Sequence, residues 1–251
     1  MQEKSALERA MAMVADLRER CPWDRVQTRE TLRPYLIEEV HELDHAIGAG
    51  DTAAIRDEMS DFLLHAAWQL VLGAERGEFT PDEIAADLEA KMKRRHPHLF
   101  DLGPKQSWES LKRRERTTPR GTLDGLPPSL PPLLLAMRMG ERAAAVGFDW
   151  PDATGPIAKV REELAEVEAA LAAGQREALE HEIGDLLFSV VNVARKVGIQ
   201  PSAALEQANA RFRERFRGVE QRAIDRGVDL ATAGLDRLDE FWNEAKAEER
   251  S

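Results

Sequence analysis

Cysteine is almost missing from this 251-residue chain: Cys21 stands alone. That excludes an intrachain disulfide framework and a thiolate zinc cluster, and leaves an inert thiol as the expected role. Long apolar runs are missing too. Every hydrophobic stretch is broken by charge well short of the roughly 20 residues needed to cross a bilayer, so no membrane-spanning segment and no membrane partner are expected. Met1 to Arg20 carries Glu and Asp through a helical pattern and has no unbroken apolar core, so it does not read as a signal peptide. A cytoplasmic location follows as the expectation. Positive charge is in deficit, with 35 Lys and Arg against 46 Asp and Glu and a net charge of -11. Nonspecific attraction to nucleic acid is therefore disfavoured, and a polyanionic ligand would need a local basic cluster or a bridging cation. Period-two runs of β-branched residues are also lacking, so no strand is predicted.

What is present is helical periodicity in a chain that is 43% hydrophobic and 32% charged, a balance typical of neither disordered nor membrane proteins. Apolar residues recur at three and four positions, as in Leu7, Met11, Val14 and Leu17, or Leu186, Val190, Val193 and Val197. The pattern predicts an all-α fold. It fails between Thr117 and Pro132, where Pro119, Pro127, Pro128, Pro131 and Pro132 accompany Gly121 and Gly125. The expected organisation is a helical domain over 1–116, a linker over 117–132 and a second helical domain over 133–251. Trp108 to Arg116 reads as a short basic helix without assigned chemistry.

The two domains repeat one another. Glu38, Glu39, Glu42, Glu58 and Asp61 recur as Glu162, Glu163, Glu166, Glu182 and Asp185, each displaced by 124 residues. A solvated acidic surface has no reason to keep such spacing. Weaker echoes link Cys21-Pro-Trp-Asp24 to Gly147-Phe-Asp-Trp150, Lys91 and Arg95 to Arg211 and Arg215, and Trp108 to Trp242.

Within each copy the acids lie symmetrically about a glycine. Glu42 and Glu58 stand eight residues either side of Gly50, and Glu39 and Asp61 stand eleven; Glu166, Glu182, Glu163 and Asp185 repeat this about Gly174. An antiparallel helical hairpin turning at each glycine brings the acidic faces together. Carboxylates converging within about 4–6 Å repel unless protonated or bridged by a cation. Oxygen-only donors, with no cysteine and no histidine common to both copies, favour Mg²⁺, with Mn²⁺ as substitute, over zinc or copper. The apolar neighbours Leu36, Ile37, Val40, Leu43, Met59, Phe62, Leu63 and Leu64 leave little exposed arc, which argues against a solvated face.

Cations near the second set suit a polyphosphate. Lys159 stands one turn before Glu162 and Glu163, and Arg211 and Arg215 share a helical face. Trp242 either stacks on a base or pins the last helix to the core. The copies differ: Tyr35 replaces Lys159, and His41 and His45 stand where the second copy has Ala165 and Ala169. The second copy is thus the better phosphate site. Glu38-x-x-His41 matches an element of di-iron carboxylate bundles, although Ala165 breaks that match in the second copy. His96-Pro97-His98 reads as a helix end rather than a metal site.

These residues identify a resemblance. Cys21-Pro-Trp-Asp24, Gln27-Thr28, Pro34-Tyr35, the two acidic sets, Arg94-Arg95-His96-Pro97-His98, Gly147-Phe-Asp-Trp150, Gly184-Asp185-Leu-Leu-Phe188 and the stretch from Ala208-Asn209 through Phe216 resemble the MazG family of nucleoside triphosphate pyrophosphohydrolases. The resemblance covers nearly the whole chain. It implies tandem MazG-type helical bundles, a homodimer, and Mg²⁺-dependent hydrolysis of a nucleoside triphosphate to monophosphate and diphosphate. Residue by residue it implies Glu163, Glu166, Glu182 and Asp185 as metal ligands, and Glu162 beside them as ligand or water-orienting base. Lys159, Arg211, Arg215 and Trp242 match nucleotide-contacting positions, and Glu38, Glu39, Glu42, Glu58 and Asp61 match the acidic pattern in the first copy. A water activated by Glu162 or Glu163 is expected to attack the α-phosphorus. The rival readings are a noncatalytic nucleotide-sensing or dimer-scaffold module and, further off, a di-iron protein. Two positions depart from the family pattern: Ser60 stands where the second copy has Gly184, and Ala178 where some relatives carry a basic residue.

Overall fold

The computed structural model describes residues 5–100, 102–105, 111 and 121–248. Among them are ten α-helices, one short 3₁₀ turn and no strand. Contacts divide the chain into a unit ending at Leu111 and a unit beginning at Lys112. The first unit holds α1 (Ala6–Arg20), α2 (Pro22–Arg25), α3 (Arg29–Ala49), α4 (Thr52–Glu75) and α5 (Pro81–Arg95), followed by the 3₁₀ turn Pro97–Leu99. The second holds α6 (Pro132–Ala144), α7 (Thr154–Ala172), α8 (Arg176–Lys196), α9 (Pro201–Asp225) and α10 (Leu235–Glu248).

Helix starts follow local chemistry. Ser5 and Glu8 form a capping box at α1, Thr28 and Thr31 one at α3, and Thr80 and Glu83 one at α5, where Pro81 supplies the first helical residue. The last of these helices stops at Arg95, the residue before His96-Pro97, because a proline disfavours helical geometry in its predecessor. His96 caps it, with its ring Nδ1 2.8 Å from the Met92 carbonyl. Residues 121–131 contain no helix, and α6 begins at Pro132. The segment Trp108 to Arg116 lies outside the described residues except for Leu111.

In the first unit, α1 and α3 each pack on α4. Val14, Leu32, Ala67, Trp68, Val71 and Leu72 form the buried cluster. Arg18 spans this cluster and the loop beside it. Its guanidinium lies 5.3 Å from the Trp68 ring, pairs with Glu75 through two bonds of 2.7 and 2.8 Å, and donates to the carbonyls of Asp24 and Gln27. Cys21 is half-buried in that loop and unbonded to any other cysteine. In the second unit α7 and α8 form a hairpin, α6 packs on α8, and α9 pairs with α10 around Val219, Ala223 and the fully buried Phe241. No helix among the described residues is long and apolar enough to cross a membrane.

Candidate active site

The α3–α4 and α7–α8 hairpins turn by the same main-chain device. Gly50 and Gly174 adopt φ of 69° and 66°, a left-handed conformation that closes a helix end without a Cβ clash. The Gly50 and Asp51 amides donate to the carbonyls of Ile47 and Ala46; the Gly174 and Gln175 amides donate to Leu171 and Ala170, the same positions 124 residues on. Each hairpin then brings three of its five carboxylates together across two helices.

In the first hairpin Glu39, Glu58 and Asp61 converge, with one oxygen from each lying within 4.8 Å of the others. All three are half-buried. Burial pushes the Glu39 carboxyl above its usual range, and the charges of Asp61, Glu42, Glu58 and Glu38 push it further. Glu58 is raised likewise, by burial first and then by Glu42, Asp57 and Asp61. Glu42 stays outside the convergent trio, although its charge reaches both neighbours. At the position of Lys159 this copy has Tyr35, packed edge-on against Trp23 at 6.2 Å between ring centres. His65, one turn beyond Asp61, is buried with Nδ1 unpartnered, and burial holds the imidazole below its usual pKa.

In the second hairpin Glu163, Glu166 and Glu182 converge within the same 4.8 Å. Glu163 is buried, only 3% exposed. Lys159 donates to Glu162 at 2.7 Å and reaches Glu163 at 2.5 Å. That hydrogen bond holds the Glu163 carboxyl below its usual range, while the two carboxylates hold the Lys159 ammonium above its own. Glu166 moves upward, from burial first and then from Glu163 and Glu182. Asp185 lies outside this trio, 3.4 Å from His181 one turn back along α8.

Arg211, Arg215 and Trp242 sit on the α9–α10 pair rather than on the hairpin. Arg211 is exposed. The Arg215 guanidinium lies 5.7 Å from the Trp242 ring, which is half-buried against Phe212 at 5.1 Å, so Trp242 does pin the last helix. The apolar neighbours expected to shield the first acidic set are partly open in the single chain. Ile37, Val40, Met59, Phe62 and Leu63 are 37–48% exposed, because no other helix among the described residues of the unit covers this face of the hairpin.

A cavity of about 550 Å³ adjoins α8, with walls from Leu123, Met139, Phe148 and Phe188. A polar network beneath it fixes the Gly147–Trp150 loop. Asp149 accepts two bonds from Arg195, at 2.5 and 3.2 Å, and one from Lys196 at 3.1 Å; Arg195 also donates to Asn192. Arg195, followed by Lys196, drives the Asp149 carboxyl down to about 2. Gly140 admits this network, since a Cβ there would stand 2.8 Å from Arg195 Nε and 2.9 Å from Asn192 Oδ1. The sequence singled out the Gly147-Phe-Asp-Trp150 motif without a role for it. The only signal of the network was an acid 46 residues from an adjacent Arg-Lys pair.

Two helical hairpins in one chain, each with three carboxylates focused between its helices, define a tandem all-α protein with duplicated oxygen-donor centres. The chain belongs to the MazG family: the MazG nucleotide pyrophosphohydrolase domain matches it twice, over residues 27–100 and 154–219. It is 40% identical over 232 residues to the nucleoside triphosphate pyrophosphohydrolase/pyrophosphatase MazG of Thermotoga maritima, covering 91% of this chain and 90% of that one. To the nucleoside triphosphate pyrophosphohydrolase of Escherichia coli it is 38% identical over 250 residues, covering 95% of each. It is also 40% identical over 239 residues to the Bacillus subtilis protein YabN, spanning 92% of this chain and 49% of that one.

Proposed function

We propose that this protein hydrolyses nucleoside triphosphates to the monophosphate and diphosphate, using Mg²⁺ or, in its place, Mn²⁺, with the second hairpin as the catalytic site. The observation that carries this reading is the trio Glu163, Glu166 and Glu182 with Lys159 beside it: an oxygen-only donor set suited to a hard divalent ion, adjoining a cation suited to phosphate. The names of the Thermotoga maritima and Escherichia coli relatives support the substrate class. Glu163, Glu166, Glu182 and Asp185 would hold the ion, Asp185 by turning from His181. When bound, the ion would neutralise phosphate oxygens and carboxylates together.

The chain's own residues do the rest. Lys159, paired with Glu162 and Glu163 in the structure, supplies a cation for a phosphate oxygen. Arg211 and Arg215 balance the remaining phosphate charge. Glu162 or Glu163 orients the attacking water and takes its proton as the water adds to the α-phosphorus and diphosphate departs. The cavity walled by Phe148 and Phe188 receives the base: Asn192, at its edge, lies two turns beyond Asp185 on the same face of α8, about 10 Å along the axis. The open apolar stripe through Ile37, Val40, Met59 and Phe62 supports a homodimer that covers it.

The first hairpin supports a different role. With Tyr35 at the lysine position, and no ion pair to any of its five acids among the described residues, it lacks a counterpart to Lys159 and reads as a cation- or nucleotide-sensing copy. His41 does not join the convergent trio there, which disfavours the di-iron reading.

The test is a panel of NTPs and dNTPs with Mg²⁺, scoring diphosphate against orthophosphate. Glu166→Ala and Asp185→Ala are each expected to lower diphosphate release by about 10²-fold or more, with the helical signal unchanged. Undiminished release by both variants would remove the site assignment, and orthophosphate as sole product would move the cleavage point.

A further inference from the structure

The first hairpin carries a second donor set that its counterpart lacks. His41-Glu42-Leu43-Asp44-His45 puts two imidazoles one turn apart on α3, the spacing with which a helix presents two histidines to one transition-metal ion. Both histidines line a cavity of about 490 Å³ between α3 and α4, together with Glu38, Glu42 and Glu58. Ala46, Ala49 and Ala54 also border it, and their small side chains leave the space open. Glu58 faces this cavity from α4 at the level of Glu42, since the two are equidistant from Gly50. Neither imidazole has a hydrogen-bond or ion-pair partner among the described residues. The second copy keeps all five acids but has Ala165 and Ala169 at the histidine positions.

We infer that His41, His45 and Glu58 form a binding site for a borderline divalent transition ion of the zinc and cobalt class, present in the first copy alone. Imidazole selects such ions over magnesium, and two histidines with one carboxylate is a known three-ligand set that leaves one position to water. The donor atoms do not all converge in the structure, in contrast to Glu39, Glu58 and Asp61. Both histidine side chains are exposed, so their χ1 and χ2 are free to turn toward Glu58. Glu58 belongs to both sets. An ion held by the histidines therefore shares Glu58 with any ion between Glu39 and Asp61, coupling zinc-class and magnesium-class occupancy of this hairpin. That coupling rests on the Mg²⁺ reading given above; the binding itself does not.

The experiment is titration of the metal-stripped full chain with Co²⁺, reading visible d–d absorption, with millimolar Mg²⁺ present. One Co²⁺ per chain with an imidazole-type band is expected. His41→Ala combined with His45→Ala should lower Co²⁺ affinity by about 100-fold or more and abolish the band, with unchanged circular dichroism because both side chains are exposed. Glu58→Gln should weaken the band, and Glu166→Gln should leave it intact. A band that survives in the double histidine variant, or no band in the unaltered chain, overturns the inference. Loss of nucleotide hydrolysis as a property of the protein, with a histidine-dependent Co²⁺ band retained, would sink the catalytic reading and leave this site standing.

Discussion

Replacing Asp149 with Ala tests how the Gly147–Trp150 loop is held. The carboxylate accepts from Arg195 and Lys196, whose side chains are 9% and 14% exposed, while its own is 22% exposed. A fall from the ordinary 3.8 to about 2 is equivalent to about 2.4 kcal/mol of preference for the charged form, or about 2 after allowing for partial exposure. Truncation also leaves a nearly buried guanidinium without its counter-ion, adding about 1–3 kcal/mol. The expected loss at pH 7 is therefore about 3–5 kcal/mol, measured by guanidinium unfolding followed by circular dichroism. Because the folded pKa lies below the unfolded one, this contribution is full above about pH 4 and is lost as pH falls through about 2. Asp149→Ala should flatten that part of the wild-type acid profile. Arg195→Met added to Asp149→Ala should recover part of the loss, since it removes the stranded charge. A single variant within about 0.5 kcal/mol of wild type at pH 7 would refute the reasoning, as would a double variant less stable than the single by the full cost of Arg195→Met alone.

Two further substitutions probe packing and the turns. Phe241 is fully buried between α9 and α10, with Arg226 and Arg237 at 4.9 and 4.8 Å from its ring, so Phe241→Ala should cost about 3–5 kcal/mol in equilibrium unfolding. Gly50→Ala and Gly174→Ala force a Cβ into left-handed backbone with no neighbouring atom within 4 Å, so each should cost about 1–2 kcal/mol from the backbone alone, again read by chemical unfolding.

The helical fold was legible because apolar periodicity and the doubled acidic spacing need no tertiary information. The hairpin turns were legible for the same reason: Gly50 and Gly174 mark them in the sequence, and the structure turns there. Spacing alone could not select which acids meet. Residues equidistant from a turn are level along the hairpin, but side-chain rotamers decide which of them meet: Glu39, Glu58 and Asp61 converge in the first copy and Glu163, Glu166 and Glu182 in the second, so Glu42 and its counterpart Glu166 differ at the same helical position. Asp185 lies 3.4 Å from His181, a side chain that the first copy replaces with Asp57. The exposure of Ile37, Val40 and Phe62 was likewise hidden, because periodicity shows that a face is apolar without showing what covers it.

The matched main-chain closures at the two glycine turns have an evolutionary consequence. Since main-chain amides and carbonyls close each bend, with the Asp51 side chain also capping the helix after the first, the lining of either hairpin can be exchanged without slipping one helix past the other. A duplicated chain so constructed can keep one copy as it was and let its twin explore new chemistry. Histidines on one side of the duplication and alanines on the other are what such freedom would leave behind.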